Sequence, residues 1–243
     1  MNVLIIHPGK VTESFAASAV NKGIMKQYLD AKISWVVDHE ALPLFAPNEK
    51  LHKVYSYGEF WRDYKSEIYD LAINLGDLSS QILTVQANEK CGFGFDKTTK
   101  KYYNCLYRDI PLNMNLFQIY FRLANMSWRG EGYDIHYYPR FKSKKNRVGI
   151  AIANANLRNF IGEQLNLEDS SKLWIIPYKK NVFKKMDEIN RCKSIVTDDL
   201  FTLHIAVALK KFVCFLRVMP LAFNIEMFGN GKIYDVPTMY ARS

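Results

Sequence analysis

Cysteine is scarce in this chain. Cys91, Cys105, Cys192 and Cys214 are far apart and form no CxxC pair. That spacing excludes a disulfide framework or a zinc ribbon as the organising device, and buried thiols are the expected state. Long apolar runs are also missing, and none approaches the roughly 20 residues of a membrane span. The opening MNVLIIHPG is strand-like, too short for a signal peptide, and has no basic stretch before its apolar run. A cytoplasmic protein is expected. No helix-turn-helix, RNA-recognition or zinc-finger pattern occurs, so nucleic acid is not an expected partner.

Apolar residues make up 49% of the 243, which is globular composition for one large domain or two small ones. The formal charge is +9. Much of the excess lies in KTTKK (Lys97 to Lys101) and RFKSKKNR (Arg140 to Arg147). Such clusters attract phosphate in nucleic acid, anionic lipid or phosphorylated sugar, or serve only as solvated surface.

Hydrophobic patterning alternates between strand and helix. NVLIIH (Asn2 to His7) reads as a buried strand ended by Pro8 and Gly9. ESFAASAVNKGIMKQYL reads as one helix with Thr12 as N-cap, and AKISWVVD as the next strand. This βαβ unit predicts a parallel sheet. DLAINLG (Asp70 to Gly76) continues as strand, SSQILTVQA as helix, KCGFGFD as a short strand or turn, and NMNLFQIYFRLANMSWRG (Asn113 to Gly130) as helix. RFKSKKNR is the candidate linker. The pattern then restarts: VGIAIAN strand, NLRNFIGEQL helix, KLWIIPY strand, VFKKMDEINRC helix, SIVTD strand, LFTLHIAVALK helix, KFVCFL strand. The expected class is α/β, with two Rossmann-like lobes facing across a cleft, residues 1–140 and a reduced second lobe at 146–243.

Open parallel sheets bind ligands outside the carboxyl ends of their strands. The candidate loops are therefore HPGKVTES in the first lobe, and NANLRN, PYKKN and TDDLFTLH in the second. The last of these sets two carboxylates and a histidine at one strand-to-helix junction.

These loops, in this order, resemble glycosyltransferase family 9, the heptosyltransferase-like enzymes. The resemblance is carried by MNVLIIHPGKVTESFAASAVNKGIMKQYLDAKISWVVD, YDLAINLGD, CGFGFD, SIVTDDLFTLHIAVALKKFVCFL and NIEMFGNGKIY. Its more specific part is Asp199 preceding His204 by five residues. The resemblance implies a GT-B fold, with the acceptor bound mostly by the first lobe and a nucleotide sugar by the second. It also implies inverting transfer with no metal or other cofactor. Glu13 stands where the family carries its catalytic aspartate. A carboxylate there can take the proton of an attacking hydroxyl. The competing reading of Glu13 is a first-turn acid that favours the helix dipole.

Donor contacts are expected from Asp199, Leu200, Thr202 and His204, with Asn154, Arg158 and Lys179 adding from neighbouring loops. Pro8, Gly9, Lys10 and Thr12 form the acceptor-side loop. The helix amino terminus near Leu200 offers N–H groups to a diphosphate. His204 is either a donor to a phosphate or sugar oxygen or a satisfied core histidine; Arg158 and Lys179 also read as plain surface residues. The expected partners are a nucleotide sugar and a saccharide or phosphorylated glycolipid acceptor, with peripheral contact to the anionic inner membrane face. Leu200 and Phe201 replace the small hydroxyl residue and glycine that follow the aspartate in the family, Thr12 replaces a glycine before the acid, and the second lobe is short. These departures support an alternative, a catalytically silent relative acting as a binding or partner subunit.

Overall fold

Short apolar runs bounded by Gly, Pro and polar residues form parallel strands, and those over Asn2–His7 and Lys32–Val37 are buried on both faces after their first residue. The structure is a computed structural model describing residues 1–64, 67–76, 85–93, 105–107, 113–142, 147–164, 172–177, 181–219, 221 and 223–236. The chain forms two units: Met1–His136 with Phe223–Glu226, and Tyr137–Ala222 with Met227–Ser243.

The first unit contains β1 (Asn2–His7), α1 (Val11–Ala17), α2 (Val20–Gln27), β2 (Lys32–Val37), a 3-10 turn (His39–Ala41), α3 (Leu42–Phe45), β3 (Lys53–Ser56), α4 (Tyr57–Asp63), β4 (Ile68–Asn74), β5 (Gln86–Phe93), β6 (Cys105–Tyr107) and α5 (Leu116–Leu123). Its strands pair in the order β3-β2-β1-β4-β5-β6, all parallel. Leu4, Ile6, Val36 and Ala72 pack on one face against Phe60 of α4. α4 and α5 both begin with capping boxes, Ser56 with Glu59 and Asn115 with Gln118.

Several boundaries differ from the sequence reading. The first helix is two, α1 and α2. Ser18 ends α1 by turning its hydroxyl back onto Phe15 O (2.6 Å) while accepting the Asp134 N–H (3.0 Å), which offers the backbone an alternative to the helical ladder. The N-cap is Lys10, and Thr12 lies inside α1. Residues 90–93 of KCGFGFD belong to a full strand, β5, which also takes in Gln86 and Ala87 from the expected helix SSQILTVQA; Gly94 to Asp96 and most of the rest of that helix lie outside the described residues. The helix expected over Asn113 to Gly130 stops at Leu123, and Asn125 follows with φ +56°. β3 and α4 were not expected.

The second unit contains β7 (Val148–Ala151), α6 (Ala155–Gln164), β8 (Leu173–Ile175), α7 (Val182–Asn190), β9 (Ser194–Thr197), α8 (Leu200–Ala208), β10 (Phe212–Arg217) and β11 (Gly231–Asp235). The strand order is β11-β10-β9-β7-β8, all parallel. Phe223–Glu226 leaves this unit for the first. There the Asn224 N–H donates to Met114 O (3.0 Å) and its side-chain amide donates to Asn113 O (2.8 Å).

Gly92 closes β5 with φ +127°, and a Cβ there would lie 2.0 Å from Asn74 O. Backbone cannot yield as a flexible side chain would. Gly92→Ala is therefore expected to cost about 3 kcal/mol or more, read as a lowered urea midpoint at unchanged m-value.

Candidate functional site

Strand order locates the ligand-binding edge of each sheet. In the first unit the chain runs outward from β1 through β2 to β3, then restarts beyond β1 at β4. The order reverses between β1 and β4. A crevice opens at the carboxyl ends of strands at such a switch point. The loop Pro8–Lys10 after β1 and Leu75–Gly76 after β4 lie at this point. Pro8 packs so close to Gly76 that a Cβ on the glycine would meet Pro8 Cδ at 2.6 Å.

Glu13 lies in the first turn of α1, which follows the β1 loop at this switch point, and is partly exposed. Its carboxylate folds back over Gly9 and makes no hydrogen bond or ion pair with any described residue. Its acceptor capacity is therefore open to an incoming hydroxyl. Behind it, His7 ends β1 fully buried. The Ser14 hydroxyl contacts Lys10 O and His7 Nδ1, each at 3.2 Å, and the Tyr120 hydroxyl lies 3.2 Å from His7 Nε2. With a neutral imidazole, all three contacts are hydrogen bonds in one assignment only. Ser14 donates to Lys10 O, His7 Nδ1–H donates to Ser14, and Tyr120 O–H donates to His7 Nε2. Burial lowers the His7 pKa to about 4, which keeps this tautomer neutral. Burial, with the Glu13 charge adding to it, raises the Tyr120 pKa and keeps the phenol protonated.

The second unit repeats the topology. β7 leads outward to β8, and the chain restarts on the other side of β7 at β9. The switch point lies between β7 and β9, at Ile152–Asn154 and Asp198–Asp199. Asp198 binds the neighbouring loop, since the Ala153 N–H donates to Oδ1 (2.7 Å) and the Asn154 N–H to Oδ2 (2.9 Å). Asn154 caps α6 by accepting the Leu157 N–H (2.9 Å). Arg158, exposed, donates back to Ile152 O and Ala153 O (3.1 and 3.2 Å). Asp199 is the N-cap of α8 and accepts from Phe201 N–H (3.3 Å), Thr202 N–H (3.0 Å), Thr202 Oγ1–H (2.6 Å) and the Lys185 ammonium (2.8 Å). Burial pushes its pKa up. The Lys185 charge and these hydrogen bonds outweigh that and hold it below the usual aspartate range.

No protein-family model matches the sequence, and no curated protein matches it. Solved structures do match. A glycosyl transferase family 9 protein from Veillonella parvula superposes with TM-score 0.75 at 10% identity, covering 97% of this chain and 86% of its own. The ADP-heptose lipopolysaccharide heptosyltransferase II of E. coli gives 0.72 at 15% identity, covering 98% and 91%. The fold is that of the family 9 glycosyltransferases. E. coli heptosyltransferase WaaC, bound to ADP-2-deoxy-2-fluoro heptose, gives 0.66 at 12% identity, covering 98% and 94%.

Within this family 9 fold, Pro8, Gly9, Lys10, Thr12 and Glu13 share one loop and helix start in the first unit. Asn154, Arg158, Asp199, Leu200 and Thr202 share the switch point of the second. Lys179 lies outside the described residues. Leu200 and Phe201 are partly exposed, and Thr202 is fully buried. His204 is 4% exposed, and burial lowers its pKa to about 4 against the opposing pull of Asp199. The N–H groups of Phe201 and Thr202, which the sequence reading offers to a diphosphate, carry the Asp199 carboxylate. A hollow of about 310 Å³ lies at the opposite, amino-terminal edge of the first sheet, between Lys32, Lys53, Glu67 and Tyr69; no candidate site residue lines it. Among the described residues, no group of three or more His, Cys, Asp or Glu side chains is placed to hold a metal ion, and no helix is long and apolar enough to cross a membrane.

Sequence reasoning passed over three residues. His7 reads as a strand end, Tyr120 as helix core and Lys185 as a polar helix position. Lys185 is 4% exposed, a burial that a lysine reaches only with a partner, and its ammonium also sits 4.7 Å from the Phe201 ring centre. Lys185→Met would leave Asp199 without its counter-charge. For a fully buried pair the loss is roughly 3–5 kcal/mol. The Asp199 side chain is 34% exposed, so about 2 kcal/mol is expected in a urea titration.

Proposed function

We propose that the protein is a glycosyltransferase that moves a sugar from a nucleotide sugar to a glycan or lipid-linked saccharide, with Glu13 as general base. The observation carrying this reading is Glu13 itself: a carboxylate with no hydrogen bond or ion pair to any described residue, beside the switch point of the first sheet, in a fold shared with glycosyltransferases. An acceptor hydroxyl is a poor nucleophile at neutral pH. A carboxylate within hydrogen-bond reach accepts its proton as the new bond to the anomeric carbon forms. Direct displacement from the far side of the departing diphosphate inverts the anomeric centre.

The second unit supplies the donor site at the β7–β9 switch point, where Asn154, Arg158 and the start of α8 converge. No step in this mechanism calls on a metal. The E. coli relatives act with ADP-heptose or are seen with its fluoro analogue, which makes ADP-heptose the first donor to try. A cytoplasmic enzyme meeting its acceptor at an anionic membrane face accords with the basic charge.

One observation favours the alternative, a silent binding or partner subunit. The N–H groups of Ala153, Asn154, Phe201 and Thr202 at the second switch point already hold the protein's own carboxylates. Thermal shift with ADP, UDP, GDP, CMP and their sugar conjugates separates the two readings. A ligand that binds only the native state adds about 2.7 kcal/mol at a hundredfold excess over its Kd. A rise in Tm with one nucleotide family is the expected result, and no rise with any of them assigns the protein to the silent class.

A further inference from the structure

We propose that Gly9 and the edge of the His7 ring form a seat that sets the position of the Glu13 carboxylate, so that the placement of this acid depends on residue 9 having no side chain. The inference rests on the reading of Glu13 as base and adds the residues that aim it. A Cβ built on Gly9 would lie 2.5 Å from His7 Cε1, 3.0 Å from His7 Nε2 and 2.7 Å from Glu13 Oε2. One point in space is thus within 3 Å of both the imidazole and the carboxylate.

Contacts this short force something to move, and the surroundings decide what does. His7 is fully buried, hydrogen-bonded at both ring nitrogens, and packed edge-on against Tyr120 with ring centres 5.3 Å apart and an 80° interplanar angle. Moving it breaks that network. Glu13 is partly exposed, has three side-chain torsions and holds no partner among the described residues. The carboxylate is the group that yields. Gly9 is needed here for the space above it, and the left-handed region of backbone space plays no part. His7, Ser14 and Tyr120 are positioning residues: they hold the rear wall still, and the wall fixes how far back the acid can fold. A glutamate with nothing at residue 9 and a shorter acid beside a small side chain are two solutions to the same geometry.

The test is a double-mutant cycle read as ADP release from ADP-heptose with a lipopolysaccharide-core acceptor. Displacement of a reacting group by about 1 Å costs on the order of a hundredfold. Gly9→Ala is expected to lower kcat by ten- to a hundredfold with the donor KM unchanged. In a Glu13→Asp background, whose acid is one methylene shorter and clears the new Cβ, the same Gly9→Ala change is expected to cost less than threefold. Equal losses in both backgrounds overturn the seat.

A second measurement needs no turnover. The His7 Cε1–H proton resonance is expected to shift on Glu13→Gln in the otherwise native protein and to shift far less when Gly9→Ala is already present. Equal shifts in the two backgrounds also overturn the proposal. If Glu13→Gln leaves transfer unchanged while the resonance behaves as expected, the general-base reading fails and the seat stands. If Glu13→Gln abolishes transfer while Gly9→Ala is fully active and folded, the seat fails and the base stands.

Discussion

Glu13→Gln is expected to lower the rate of transfer by about 10²–10⁴-fold, the range over which a positioned general base contributes. The substitution is close to isosteric. Because the carboxylate holds no hydrogen bond or ion pair with a described residue, the change strips no partner from the rest of the molecule. Stability is expected to stay within about 0.5 kcal/mol, as for other substitutions away from packed features. Donor affinity is expected to hold as well, since the donor is assigned to the second unit. The loss should therefore fall on kcat, with the donor KM and the nucleotide-induced rise in Tm preserved. Initial rates over a donor titration, paired with thermal shift on the same variant, check this. Unchanged turnover in a protein that still binds nucleotide would remove Glu13 from the mechanism and return it to the role of a first-turn acid facing the helix dipole.

The place of Glu13 in the first turn of α1 was legible in the sequence because the elements that carry it are local. A buried strand, a Pro-Gly break and a helix start follow one another within a dozen residues, and each has its own signal. The same is true of the junction at Asp198 and Asp199, where a β-branched strand runs into a capping residue. What the sequence hid is what arrives from far along the chain. The His7 ring is held by Tyr120, which meets it from 113 residues away. The exact role of Asp199 follows from Lys185, on the preceding helix α7, and periodicity there marks an amphipathic helix without saying which polar position turns inward. The break between α1 and α2 was missed for the same reason. Ser18 is an acceptable helix residue until its oxygen is claimed by the Asp134 N–H. The return of Phe223–Glu226 to the first unit is a pairing of Asn224 with Met114 and Asn113, and a local pattern carries no trace of it.

Acidification is expected to destabilise both units between pH 6.5 and pH 4, before most carboxylates titrate. His7 in the first unit and His204 in the second have pKa values lowered to about 4, with burial as the leading cause in each. Unfolded, each takes up its proton near the ordinary value of 6.5. Between the two values the unfolded chain binds more protons than the folded one, so stability rises with pH across this window and falls as pH drops through it. Each histidine tilts the stability curve by about 1.4 kcal/mol per pH unit and removes about 3 kcal/mol by pH 4. Asp199 does not share the window. Its pKa is held below the usual 3.8, so its contribution is intact above that value and is lost only at lower pH. Against the 5–15 kcal/mol typical of a folded domain, a loss of about 3 kcal/mol in each unit is large. Urea titrations across the window are the measurement. Trp174 is the second unit's tryptophan, and Trp35, Trp61 and Trp128 belong to the first, so quenching tryptophans in turn reads the units separately. His204→Leu is expected to remove the slope seen by Trp174 while leaving that of the first unit in place. A stability that stays flat from pH 6.5 to 4.5 in both units would mean that these imidazoles are hydrated in solution. The wall behind Glu13 would then be too soft to hold a base in position.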